Sequence, residues 1–408
     1  MKQAKVNDGN TQVAGYKDDN TEVAACYAPT LLPDVEVHDD EVKLLHQEQE
    51  RYKTVKTLGE GGAGYVDLVA DRDIHRAVAR KTAKAGGEDS ILVRFVEEVR
   101  VLGQLEHPNI VPIHDVGVTE EGEYYFTMKY VEGESLRDVI HKLQKGDKKY
   151  HEIYTFERRM SIFLEILHAV HFAHDHGFIH RDIKPENVMV GRYGEVSLMD
   201  WGIAKKIRDD RSTLLDDILK REASATDESS EESRIFETQH GTLIGTPAYM
   251  APEQIKASWE LDERTDIYSL TIMLHEFLTL EHYLASCDGD ITLTLLGVVE
   301  KDPKRPEDMS HPSQGAVPRE HCFFMRKGYK KFPDERYQSI DEMIRVVEQN
   351  LHGRTKVSCP STFLKRSTYM YSRFLDNHRY LSVVVMVVVL LLAAMGVVQG
   401  VTWIKLLL

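Results

Sequence analysis

The sequence predicts an α+β protein in which a strand-rich lobe precedes a helical one, with an apolar segment near the end. From Arg51, the stretch YKTVKTLGEGGAGYVDLVADRDIHRAVARKT alternates apolar and polar residues around glycine and charged turns, the pattern of antiparallel strands and hairpins. From about residue 155, apolar spacings of three and four dominate, as in FERRMSIFLEILHAVHFAHDHG and DIYSLTIMLHEFLTL. Near the other end, LSVVVMVVVLLLAAMGVV (381–398) is apolar but for Ser382, and the apolar character resumes after Gln399 through Ile404. Two lobes create a cleft of the kind that ligands favour.

In chain order, residues 1–48 are polar and acidic with little periodicity and read as a disordered leader. They hold no apolar core of a secretory signal. The strands from Arg51 are followed by DSILVRFVEEVRVLGQLEHP, a helix ending before Pro108, and by strand-like pieces near 110–118 and 123–131. This divides a domain of 51–350 into an N-lobe, 51–131, and a C-lobe, 132–350. An insert at 209–237, DDRSTLLDDILKREASATDESSEESRIFE, interrupts the helical order with acids, serines and threonines. It reads as a solvated loop, or as a carrier of phosphoserines, or as a cover for a basic surface in cis.

Between 352 and 379, Arg354, Lys356, Lys365, Arg366, Arg373 and Arg379 are opposed only by Asp376. The segment 381–404 then has the roughly 20 residues that a helix needs to cross a bilayer, and it is read as a transmembrane helix rather than a core helix. Basic flanks stay on the cytoplasmic side, which puts the large N-terminal part in the cytoplasm and the last few residues outside the cell membrane. The basic stretch also suits anionic headgroups, so the lipid bilayer is an expected partner. Little sequence follows the span, and no extracellular sensor is predicted. Ala393, Gly396 and Gly400 offer small residues for a homodimer, Gly396 and Gly400 at small-xxx-small spacing.

With 408 residues and 42% hydrophobic content the chain can bury a substantial core. A net charge of -15 argues against a sequence-independent grip on nucleic acid. The four cysteines, Cys26, Cys287, Cys322 and Cys359, form no CxxC pair, so neither a disulfide framework nor a cysteine zinc site is expected. A reducing compartment is the simplest reading.

LGEGGAGYV supplies Gly59, Gly61 and Gly64, a GxGxxG that by itself fits a tight turn, a dinucleotide fold or a phosphate cradle. Alternating strand residues continue past Gly64 where a dinucleotide fingerprint would open a helix, which favours a glycine-rich hairpin over a nucleotide. Lys81 in AVARK is either a solvated edge charge or an inward ammonium needing a partner, for which Glu98 on the next helix is the candidate. HGFIHRDIKPENVMV contains Asp182, Lys184 and Asn187. A carboxylate to accept a hydroxyl proton, a lysine to neutralise a transferring phosphoryl group and an amide oxygen for a metal are what phosphoryl transfer demands. His168, His171, His174, His176 and His180 crowd one stretch, but no carboxylate completes a metal site there.

Over roughly residues 51–350 the chain resembles the protein kinase family, specifically the bacterial serine/threonine kinases that are similar to eukaryotic ones. The resemblance implies a two-lobed protein kinase fold and transfer of the γ-phosphate of ATP, with Mg2+, to serine or threonine of protein substrates. It implies that Leu58, Gly59, Gly61 and Gly64 cover the ATP phosphates and that Lys81, paired with Glu98, contacts the α- and β-phosphates. Val66, Ala79 and Met189 would sandwich the adenine, Met128 would be the gatekeeper, and backbone groups of Lys129 and Val131 would bond the base. Asp182 would be the catalytic base, Lys184 the γ-phosphate neutraliser, and Asn187 and Asp200 the magnesium ligands.

GTPAYMAPE resembles the peptide-docking segment, where Thr246 would bond Asp182 and Lys184 as serine/threonine kinases require. Glu253 would pair with Arg336, and Asp266 would anchor the catalytic loop. Arg181 would meet a phosphate on Thr242, or on Thr238, added by autophosphorylation between two copies. Trp201, after Asp200, departs from the phenylalanine usual in the family and is expected to stack with His180, Leu102 and Ile113. A nucleotide-binding pseudokinase scaffold and a small-molecule kinase are the rivals. Intact Lys81, Asp182, Asn187 and Asp200 weigh against the first, and the docking segment against the second.

Overall fold

The computed structural model describes residues 34–38, 41–45, 50–61, 64–84, 89–202, 204–206, 247–256, 261–287, 290–354 and 356–377, together with Val387 and Met395. Within the range expected to be a disordered leader it places a hairpin, β1 (Asp34–His38) against β2 (Glu41–Leu45), antiparallel with Asp34 opposite Leu45. The leader reading is corrected there. DVEVH and EVKLL each alternate with a period of two, a strand signal inside a polar stretch.

The described chain falls into two units, one reaching Ile91 and including Ile113–Tyr130, the other comprising Leu92–Pro112 and the chain from Val131 on. The first unit is a five-stranded antiparallel sheet: β3 (Tyr52–Gly61), β4 (Gly64–Asp71), β5 (Arg76–Ala83), β6 (Ile113–Val118) and β7 (Tyr124–Lys129), in the order β3-β4-β5-β7-β6. Val66 lies opposite Lys81, Leu68 opposite Ala79, and Ala79 opposite Met128. Directly paired residues share a face, so Val66, Ala79, Lys81 and Met128 occupy one face of this sheet. The other face carries an apolar cluster of Tyr52, Val69, Val78 and Tyr125. Arg51 seals its edge with two 3.0 Å hydrogen bonds to Asp71, and the Tyr52 hydroxyl donates to Asp115 at 2.9 Å.

Helix α1 (Asp89–Leu102) begins in the first unit and belongs to the second from Leu92 onward. The expected N-lobe of 51–131 therefore does not coincide with a compact unit. The reason lies just after α1. Asn109 and Val111 bond both backbone groups of Leu198, at 2.8 and 3.4 Å, and the Asn109 side chain donates to the Val196 carbonyl at 2.9 Å. The chain from 109 to 111 thus bridges to β11 of the second unit, Ile110 lying parallel to Leu198.

In that unit, β8 (Gly133–Ser135) leads into α2 (Leu136–Gln144), whose capping box pairs Ser135 with Asp138, and α3 (Lys148–Ile153) follows. Helix α4 (Phe156–Asp175) is capped by Thr155. Short strands come next: β9 (Phe178–Ile179), β10 (Val188–Gly191), β11 (Val196–Leu198) and β12 (Lys205–Lys206), with β10 between β11 and β8 and β12 beside β9. Beyond α5 (Pro252–Ile255), helix α6 (Glu263–Thr279) is buried at every residue from Thr265, as a helix apolar around most of its circumference must be. Helices α7 (Ile291–Glu300), α8 (Arg319–Gly328), α9 (Ile340–Leu351) and α10 (Pro360–Asn377) complete it, α9 packing on α4.

No helix among the described residues is long and apolar enough to cross a membrane. The span expected at 381–404 lies outside them apart from Val387 and Met395, and the insert at 209–237 lies wholly outside. Cys287, Cys322 and Cys359 are free thiols.

Candidate active site

The chemistry-bearing loop is fixed from below by one carboxylate. Asp266, in the first turn of α6 and fully buried, accepts the His180 amide at 2.8 Å and the Arg181 amide at 2.9 Å. It also meets His174 Nε2, from the end of α4, at 2.8 Å. Burial alone would raise this carboxyl, but the hydrogen bond from His174 and that from the His180 backbone amide hold it below the usual carboxylate range. The anchor lets the next residue, Arg181, adopt a left-handed backbone at φ 69°, which is uncommon outside glycine. Gln254 of α5 braces the same turn by donating to the Arg181 carbonyl at 3.1 Å.

Beyond Arg181 the loop folds around Asp182. Lys184 Nζ donates to Asp182 Oδ2 at 2.6 Å, and Asn187 Nδ2 donates to the Asp182 carbonyl at 2.8 Å and to Oδ2 at 3.2 Å. Pro185–Asn187 forms a single 3-10 turn that turns the asparagine back over the aspartate. With its amide nitrogen committed to Asp182, Asn187 keeps its amide oxygen for a cation. The His180 ring joins this loop to the next: Nδ1 accepts the Asp182 amide at 3.3 Å while Nε2 lies 3.2 Å from the Met199 carbonyl, a network that assigns the ring proton to Nε2.

Asp200 follows, in a left-handed conformation at φ 59° that aspartate tolerates better than most side chains. The Met199 amide donates to the Asn187 carbonyl at 2.8 Å, so Asp200 is one residue from a direct bond to the asparagine. Asp200 is exposed, whereas Trp201 beside it is 1% exposed and packs against His180 with ring centroids 4.5 Å apart and the rings tilted by 52°. The indole Nε1 has no hydrogen-bond partner. At Gly202, an added Cβ would lie 3.3 Å from Glu98 Oε2 and 3.4 Å from Asp200 Oδ1, so the backbone passes close to both carboxylates. Glu98, on α1, is 4% exposed.

The first unit places the other expected residues on its sheet. Leu58, Gly59 and Gly61 end β3 with open space around both glycines, while a Cβ at Gly64 would collide with the Thr82 carbonyl of β5. Only Gly64 is therefore required to be glycine by packing within the fold. Val66, Ala79, Lys81 and Met128 share one face as described, and Lys129 follows on the same strand. Val131 and Met189 belong to the second unit, Met189 on β10 opposite Ser135.

Glu253 and Arg336 form a bidentate pair at 2.7 and 2.8 Å. The remaining Arg336 donors reach the carbonyls of Lys330, Lys331 and Arg264, which fully satisfies a guanidinium 1% exposed. Thr238, Thr242 and Thr246 lie outside the described residues. His174 and His180 are engaged by Asp266, Met199 and Trp201 as above, and their neighbours His168, His171 and His176 lie along or just past α4.

Sequence reasoning missed Arg137. From α2 it donates to Glu186 at 2.7 Å, to Glu276 at 2.6 Å and to the Tyr249 hydroxyl, which itself donates to Glu276 at 2.5 Å. Burial opposes the charge, but Tyr249, Glu276 and Glu186 outweigh it and hold the guanidinium well above its ordinary value. Its partners are 49, 112 and 139 residues away, beyond any local pattern. Tyr249 belongs to GTPAYMAPE and Glu186 to RDIKPEN, so Arg137 ties those two segments together.

Known proteins place this arrangement. The family model described as the protein kinase domain matches residues 52–346. The chain is 33% identical over 318 residues to the serine/threonine-protein kinase PknD of Protochlamydia amoebophila, covering 76% of this chain and 30% of that protein. The corresponding protein of Chlamydia pneumoniae is 31% identical over 313 residues, at 75% and 32% coverage. That of Chlamydia trachomatis serovar L2b is 29% identical over 334 residues, at 78% and 33%. The chain spans about a third of the length of these relatives. With an α+β arrangement of β-sheet N-lobe and helical C-lobe, and a match across most of its length, the chain belongs to the protein kinase family.

Proposed function

We propose that this chain phosphorylates serine and threonine of protein substrates, with Asp182 as the group that accepts the hydroxyl proton. Protein kinases use ATP and Mg2+. The observation that carries the reading is the enclosure of one Asp182 carboxylate oxygen by Lys184 Nζ at 2.6 Å and Asn187 Nδ2 at 3.2 Å. Those two donors orient the carboxylate towards its proposed part, accepting a proton from a substrate hydroxyl. Lys184 supplies positive charge beside that oxygen, where a phosphoryl group in transfer would gather negative charge.

The Asn187 amide oxygen and the exposed Asp200 carboxylate suit a hard cation that keeps several of its waters. Bound Mg2+ would neutralise phosphate charge there. Gly59, Gly61 and Gly64, Leu58, Val66, Ala79, Lys81, Glu98, Met128, Lys129, Val131 and Met189 are our proposed ATP contacts and Thr246 our proposed determinant of serine/threonine preference, readings that the family match supports without testing residue by residue. Glu253, Arg336 and Asp266 serve stability and positioning.

Autophosphorylation at Thr242, with Thr238 second, would order the segment through Arg181, and the spacing of Thr242 before Thr246 supports it. The apolar length of 381–404 with its basic N-terminal flank supports a single-pass membrane anchor, kinase domain cytoplasmic, with dimerisation through Gly396 and Gly400. The central test incubates the full chain with labelled ATP and Mg2+, unaltered beside Asp182→Asn. Incorporation should fall by roughly 100- to 10,000-fold in the variant. Equal incorporation would overturn the assignment of Asp182.

A further inference from the structure

Helix α10 is held to the second unit by one side and bare on the other. Thr362 is fully buried, and its hydroxyl caps the helix start by accepting the Ser358 and Cys359 amides at 2.9 and 3.0 Å. Lys365 donates to Glu320 of α8 at 2.7 Å, and the Tyr369 ring lies against Gly353, where a Cβ would come within 2.7 Å of it. Phe363, Leu364, Met370 and Tyr371 remain 59%, 64%, 59% and 54% exposed. Their spacing of i, i+1, i+7 and i+8 puts all four on one helical face. A soluble domain has no use for four large apolar side chains in a row facing water.

We infer that this face lies in the plane of an anionic lipid surface, fixing how the kinase domain meets the membrane. Two features of the page name lipid rather than protein as the occupant. Exposed Arg366 and Arg373 flank the apolar stripe on the same helix, and exposed Arg354 and Lys356 precede the helix in sequence, in a chain whose net charge is otherwise strongly negative. Apolar side chains sink into the headgroup boundary while long basic side chains reach the phosphates around them. The apolar run from Leu381 begins four residues after the last residue of α10, so the stripe is continuous in sequence with the segment assigned to the bilayer. This deepens the anchor reading and rests on it for the local concentration of lipid, but not for the chemistry of the stripe.

The experiment uses the full chain with phosphatidylcholine vesicles, with or without phosphatidylglycerol. An environment-sensitive dye is placed at Met370→Cys or, as the solvent-side control, at Ser361→Cys, in a Cys26→Ser/Cys359→Ser background that leaves only the two buried cysteines. The dye at 370 should be quenched by brominated lipid and that at 361 by aqueous iodide. Iodide quenching at 370 in a chain that sediments with vesicles overturns the inference while leaving the anchor standing. So does a disulfide between two copies through Met370→Cys, which would make a second chain the occupant.

A companion variant, Leu390→Arg/Leu391→Arg, removes the apolar run, with phosphoryl transfer monitoring the fold. It should still bind phosphatidylglycerol vesicles in low salt, and Phe363→Asp/Met370→Asp added to it should weaken that binding roughly tenfold or more. Binding indifferent to phosphatidylglycerol or to the aspartates overturns the inference. Release of the unaltered chain by high salt counts against the anchor alone.

Discussion

The glycine hairpin of the first unit and the loop around Asp182 in the second, each with a proposed part in phosphoryl transfer, are built on opposite plans. Along β3 only Tyr52 is buried, and neither Gly59 nor Gly61 has an atom within 4 Å of a would-be Cβ. The catalytic loop hangs from a fully buried carboxylate, has a left-handed residue at Arg181, and satisfies its backbone through Asp266, His180 and Asn187. A part that only covers a ligand can be open, whereas groups that must hold a proton acceptor in place are over-determined by their surroundings.

The contrast is broken most severely at its anchor. Asp266→Ala leaves the buried His180 and Arg181 amides and His174 without their acceptor, and should cost about 3–5 kcal/mol of unfolding free energy with loss of transfer. Urea denaturation of the variant beside the unaltered chain measures it; a loss below about 1 kcal/mol would mean the loop holds itself up. In the hairpin, Gly64→Ala should cost about 1–3 kcal/mol because of the Thr82 carbonyl, and Gly59→Ala less than about 0.5. Equal melting of those two variants would remove the distinction drawn between them.

A smaller effect comes with acid. Burial keeps His275 and His321 neutral, pushing each down to about 4. In the unfolded chain each would take up a proton near 6.5, so their contribution to stability is complete above that pH and declines as pH falls from 6.5 towards 4. His275→Gln should flatten this part of the stability curve, measured by thermal melting across that range. A small change is also expected from Trp201→Phe. It loses ring volume but also removes an unpartnered buried N–H, so stability should move by less than about 1 kcal/mol and transfer should persist.

What could be read from the sequence was what lies close together in it. Asp182, Lys184 and Asn187 fall within six positions, and the strand alternation through β4 and β5 is local. His174 and Asp266 are 92 residues apart and Arg137 and Glu276 are 139 apart, and nothing in the intervening pattern announces either pair. The bonding of 109–111 to Leu198 of β11 was invisible for the same reason. Helix α10 was read only as a run of charge because its apolar face alternates with serine, threonine and basic residues.

The His180 ring touches two loops whose bonded residues, itself and Met199, are 19 positions apart. One nitrogen faces an amide donor and the other a carbonyl acceptor, so the imidazole can satisfy both only in a single proton arrangement. That makes it an intrinsic spectroscopic gauge: the two ring nitrogens should give well-separated 15N resonances while both loops hold their spacing. Exchange-averaged resonances would report that the loops had parted, before any substrate was added.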